Sequence, residues 1–70
     1  MQTPCVYYHE FYQPGYVVGF VPIGGVVHAI IQSTIKDPLV NVPIGSVIVH
    51  DDIEKARHQA KVKNDADRSA

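Results

Sequence analysis

A chain of 70 residues with a net charge of −1 and a single cysteine makes one domain. It excludes an internal disulfide, and one cysteine with four scattered histidines (His9, His28, His50 and His58) does not supply a zinc-finger spacing. Residues 1–50 hold only Glu10, Lys36 and Asp37 among charged side chains, and residues 51–70 hold the rest, so no overall basic field exists to grip phosphates.

The first predicted strand is Cys5–Tyr12, rich in aromatics and ended by Gln13-Pro14-Gly15. The second is Tyr16–Val21, ended by Pro22-Ile23-Gly24. The third is Gly25–Ser33, and the residues from Thr34 to Pro38 make the next turn. A fourth strand, Leu39–Val42, runs into Pro43-Ile44-Gly45, and Val47–His50 is the fifth. Pro22 and Pro43 cannot donate to a ladder, so each should end a strand or lie at an edge.

Asp51 opens a helix as its N-cap, with Glu54 completing a capping box. Acids lead and bases follow, as the helix dipole favours. Ile53, Ala56 and Ala60 form a thin apolar seam along it. The expected organisation is a β body over 1–50, a helix over 51–64 and a disordered tail over 65–70.

Phe11 to Ile35 carries no charge over 25 residues, enough to test as a membrane span. Prolines, glycines and polar residues interrupt it throughout, so strands and turns explain it better and no membrane is expected. The opening Met1-Gln2-Thr3-Pro4 lacks the order of a signal peptide. With one lone thiol, this points to a reducing, cytoplasmic location.

One phrase occurs twice. Val21-Pro22-Ile23-Gly24-Gly25-Val26-Val27 returns as Val42-Pro43-Ile44-Gly45-Ser46-Val47-Ile48. Two copies are too few for a solenoid. The same type I or 3₁₀ turn used twice accounts for the phrase more simply than duplication does.

Leu39-Val40-Asn41-Val42-Pro43, then Ile44-Gly45-Ser46, then Val47-Ile48-Val49-His50 resembles the strand, 3₁₀ turn and closing strand of SH3-like small barrels. The resemblance implies an all-β fold with one C-terminal helix, a small SH3-like five-stranded barrel. The same segment looks like the closing part of the plasmid-type dihydrofolate reductase barrel, a tetramer of SH3-like chains. That family's active-site Gln-Ile-Tyr is replaced here by Val40-Asn41-Val42, so its activity does not carry over.

All six aromatics lie between residues 7 and 20. Strand alternation places Tyr7, His9 and Phe11 on one face and Tyr8, Glu10 and Tyr12 on the other. Only one face can look inward, so the other presents tyrosines to a partner. Since so small a domain needs added burial, a homo-oligomer through this tyrosine-rich first strand is expected. Cys5 as a nucleophile would need a base and a lowered pKa, and only His9 is near in sequence. His50-Asp51-Asp52 could hold a metal, but the helix cap explains both aspartates. No catalytic, metal or cofactor site is therefore assigned. The bases on the helix are offset by acids and lie far from the aromatics, which disfavours nucleic acid.

The expected function is a non-enzymatic binding module acting as a homo-oligomer. Its binding residues would be Tyr8, Glu10, Tyr12, His28, Asn41 and His50, facing a small molecule or peptide. One alternative is a small oligomeric enzyme whose interface site draws on His28, Asn41 and His50. Another is a weak nucleic-acid binder using the helix.

Overall fold

The computed structural model describes residues 2–34 and 39–69. Five strands and one helix follow in order: β1 (Thr3–His9), β2 (Phe11–Ile23), β3 (Val26–Ser33), β4 (Val40–Pro43), a 3₁₀ turn (Ile44–Ser46), β5 (Val47–Val49) and α1 (Ile53–Ser69). The strands form one antiparallel sheet in the order β4-β3-β2-β1-β5. β4 and β5 are its edges. No ladder joins them among the described residues, so the sheet is not closed into a barrel by hydrogen bonds.

One break moves from its expected place. Gln13-Pro14-Gly15 reads as a turn, yet β2 runs straight through it. The chain reverses instead at Glu10, which opposes no residue and sits at φ 70° in the left-handed region. His9 and Phe11 then pair directly, followed by Tyr8 with Tyr12 and Tyr7 with Gln13. Pro14 is tolerated because its carbonyl points to the side where β3 has ended. There it accepts a hydrogen bond from the Thr34 hydroxyl at 3.4 Å, and no ladder there asks for the missing N–H. Gly15 is required for another reason: a Cβ there would lie 2.9 Å from Tyr7 Cε1 and 2.8 Å from Ile31 Cγ2. The buried Tyr7 ring occupies the space a side chain would need.

The two copies of the repeated phrase each join a pair of strands, but by different turns. Gly24 and Gly25 have φ of 58° and 80°, which makes a two-residue hairpin of the type that requires positive φ at both positions. Pro22 therefore lies inside β2, opposite Val27. In the second copy Ile44–Ser46 form the 3₁₀ turn, and Gly45 is not among the residues of positive φ. Ser46 stands where Gly25 stands in the first copy. A serine pays the steric cost of left-handed backbone that glycine avoids, and the turn changes class.

The inner face of the sheet packs Cys5, Tyr7, Val17, Ala29, Ile31 and Val42, with Val40 and Val47 against them. Gln13 is the buried polar residue of this core. It accepts from the Tyr7 hydroxyl at 3.1 Å and donates to the His9 carbonyl at 2.8 Å, so both ends of its amide are used. The opposite face carries α1 across β1 and β2. Val6, Ala56 and Ala60 are buried between them, flanked by Tyr12 and Ile53. Small alanines let the helix lie close to the sheet.

The helix begins one residue later than expected and ends later too. Asp52, not Asp51, caps it, its carboxylate accepting from the Glu54 N–H at 2.7 Å. Asp51 instead pairs with Lys55 at 3.2 Å, and Glu54 pairs with Arg57 at 2.6 Å rather than reaching back. Residues 65–69, expected to be a disordered tail, are helical. An Asp65–Arg68 pair bridges this last turn.

A register shift between Val17 and Gly19 bends β2. Beyond it, β2 no longer pairs with β1, whose ladder ends at Thr3 opposite Val17. β4 still flanks β3 there as far as His28 opposite Pro43, so only Pro22-Ile23 and Val26-Val27 remain as a two-stranded tip ending in Gly24-Gly25.

Candidate aromatic binding surface

Tyr8 and Tyr12 oppose one another across β1 and β2 on the helix-bearing face. Their ring centroids are 5.0 Å apart at 69°, an edge-to-face pair. Tyr8 is exposed, and Tyr12 is half-buried against α1. The Lys63 ammonium lies 5.5 Å from the Tyr12 ring centroid, within cation–π range. Asn64 holds the backbone below. Its Oδ1 accepts from the Tyr12 N–H at 2.8 Å, and its Nδ2 donates to the Tyr12 carbonyl at 2.9 Å. β3 begins pairing with β2 only at Gly15, so the Asn64 amide takes the place of a missing strand at Tyr12.

This ridge separates two grooves. The larger, about 640 Å³, has Phe11, Tyr12, Pro14 and Ala60 as its apolar floor, with Glu10 and Lys61 on its rim. The smaller, about 430 Å³, lies between Tyr8, Tyr12, Ile48 and Lys63 beside the 3₁₀ turn. Arg57 pairs with Glu54, and Arg68 pairs with Asp65. Three acids (Glu10, Asp65, Asp67) and three bases (Arg57, Lys61, Arg68) line the larger groove, so it has no one-sided field for phosphates.

The six expected binding residues do not form one site. Tyr8 and Tyr12 share the smaller groove, and Tyr12 and Glu10 share the larger. His28 and Asn41 lie on the same face of β3 and β4, where His28 opposes Pro43 and Ile30 opposes Asn41. That face is the one bearing the helix, but neither residue lines either Tyr12 groove. The His28 Nδ1–H donates to the Val26 carbonyl at 2.9 Å in its own strand. His50 lies at the other sheet edge. Its backbone N–H donates to the Pro4 carbonyl at 2.8 Å, and its ring lines a third groove of about 340 Å³ with Glu54 and His58. Its Nε2 is buried without a hydrogen-bond partner. Within one chain His28 and Asn41 stand on β3 and β4 while His50 follows β5 at the other edge of the sheet, so an enzyme reading that unites the three would draw them from different places.

Cys5 is fully buried, and burial pushes its thiol up to about 11. A protonated, enclosed thiol is not a nucleophile at neutral pH. Burial likewise raises the Tyr7 hydroxyl, and the Lys55 hydrogen bond holds the Asp51 carboxyl below its ordinary range. Among the described residues, no group of three or more His, Cys, Asp and Glu side chains is arranged to hold a metal ion. No described helix is long and apolar enough to cross a membrane.

Sequence reasoning picked out Tyr8 and Tyr12 but missed the groups that make a surface of them. Lys63 and Asn64 come from the helix, and nothing in their spacing links them to a strand 52 residues earlier. Alternation puts Phe11 on the other strand face and Pro14 carries turn chemistry, so neither signals a groove beside Tyr12.

No protein-family model, curated protein or solved structure matches the chain.

Proposed function

We propose that this chain is a non-enzymatic binding module, built on a small SH3-like barrel and acting as a homo-oligomer. The carrying observation is the Tyr8–Tyr12 pair, held by Lys63 and Asn64 between two open grooves. Rigid aromatic rings anchored from behind present contact area at low entropic cost, as recognition surfaces do. A peptide segment or small molecule is the proposed ligand, read by Tyr8, Tyr12 and Glu10. A 3₁₀ turn joining the two edge strands β4 and β5, and the approach of β1 to β4 across the core, support the barrel reading.

A phage-displayed random peptide library panned on the full chain tests the binding role, with Tyr12→Ala as counter-selection. Sequences enriched on the wild type and not on the variant are expected. No enrichment, or equal enrichment on both, would count against it.

A further inference from the structure

We infer that the last turn of α1, residues 65–69, is a movable wall of the two Tyr12 grooves, wound when they are filled and frayed when they are empty. The inference rests on the peptide-binding part of the proposed function and adds its regulation. Both grooves depend on this turn. Asp65, Asp67 and Arg68 wall the larger one, and Asp67 lines the smaller as well. Unwinding the turn opens both grooves on one side, while Tyr8, Tyr12 and Asn64 keep their places.

Burial does not hold the turn. Among the described residues, Ala60 is the last of α1 to be buried against the sheet. Asn64 then clamps the Tyr12 backbone through its two hydrogen bonds. Beyond it Asp65 is only half-buried, and Ala66, Asp67 and Arg68 are exposed.

Composition does not hold it either. Asn64, Asp65, Asp67 and Ser69 are among the poorer helix formers, because their short polar side chains compete for backbone hydrogen bonds. Asp65 and Asp67 also put negative charge at the negative end of the helix dipole. Against this stand Arg68 and its exposed pair with Asp65, a type of contact worth little in water. Helices lose their bonds from the ends inward. A turn with these terms near balance therefore frays, while the body of α1, packed through Ala56 and Ala60 on Val6, does not.

A ligand shifts that balance. A molecule seated in either groove touches the wall only in its wound form, so its binding energy favours winding. By linkage, a change that unwinds the turn weakens binding in proportion. Asn64 marks the pivot, because its amide stays with Tyr12 at the ridge.

Backbone amide exchange by NMR on the full chain tests the first half. Amides 65–69 should exchange at least about tenfold faster than amides 57–63. Equal rates would overturn the inference whatever the chain binds. The second half uses Ala66→Gly. Ala66 lines neither groove, so this change loosens the turn without touching the ligand. The probe is the peptide most enriched on the wild type in the panning above, synthesised with a fluorescein label. Its affinity for the variant should fall by about two- to fivefold, the size of the glycine penalty in a helix, with the urea midpoint unchanged. The same peptide added to the wild type should slow exchange at amides 65–69. Unchanged affinity, or amides that do not slow, would overturn the coupling and leave the binding reading standing. A urea midpoint that falls along with affinity would give Ala66 a purely structural role and overturn the coupling too. Failure to enrich any peptide would sink the binding reading, and this inference with it.

Discussion

The side-chain amide of Asn64 closes both backbone groups of Tyr12, accepting from its N–H at 2.8 Å and donating to its carbonyl at 2.9 Å. The helix is thus tied to the sheet by a contact that imitates strand pairing. It also sets Tyr12 as the ridge between the two grooves. Asn64→Ala should leave two partly buried backbone groups unpaired and lower stability by about 1–3 kcal/mol. Urea denaturation measures this, and hydrogen exchange at the Tyr12 amide should accelerate in the variant. A variant as stable as the wild type would show that water replaces the amide without loss.

Glu10 turns the first hairpin at φ 70°, a conformation that costs a non-glycine residue about 1–2 kcal/mol. Glycine removes that strain but loses more entropy on folding, roughly 0.5–1 kcal/mol. Glu10→Gly should therefore raise stability by up to about 1 kcal/mol. The check is a shift of the thermal midpoint upward. A fall would mean that the glutamate side chain contributes more than its backbone costs.

The repeated phrase supplies a paired comparison. Gly25→Ser gives the first copy the residue of the second, at φ 80°, and should cost about 1–2 kcal/mol. Gly45→Ala meets nothing within 4 Å and is not among the residues of positive φ, so it should change stability by less than about 0.5 kcal/mol. Chemical denaturation of the two variants side by side checks this. Equal costs would contradict the assignment of two different turns.

Much of the fold was legible because glycine, proline and β-branched residues mark strands and their ends locally. The helix cap region and the third to fifth strands follow from such marks. The first hairpin was not legible. Glu10 has no turn chemistry, and Pro14-Gly15 has it but is used for tertiary reasons: one lies where β3 has stopped, the other beneath Tyr7. The end of the helix was missed because an ion pair and the Asn64 clamp carry it past a polar stretch. The candidate site was half legible. Alternation placed Tyr8 and Tyr12 together, but only the folded chain brings Lys63 and Asn64 to them, and it separates His28, Asn41 and His50 from them.

Gly15→Ala tests the packing of Tyr7. Its added carbon would lie 2.9 Å from both the Tyr7 ring and the Gln32 carbonyl oxygen. Overpacking here should cost about 1–3 kcal/mol. A variant of unchanged stability, by denaturant midpoint, would mean that the ring sits elsewhere.

The pH dependence follows from Cys5. Its thiol is raised from 9.0 to about 11 in the folded chain by burial. The folded state then holds a proton that the unfolded state releases first, so stability is full below pH 9 and falls as pH rises toward 11. The raised Tyr7 hydroxyl adds a fall of the same sign above pH 10. Cys5→Ala should flatten the first part of that fall in denaturation curves taken across this range. An unchanged slope would assign it to other groups.

The central claim is that this small, sparsely charged body is completed by further copies of itself. Light scattering of the wild-type chain over a dilution series tests it most directly. The account predicts a mass that is a multiple of 7.7 kDa and falls toward that of one chain only on dilution. A mass of one chain at every concentration would contradict it.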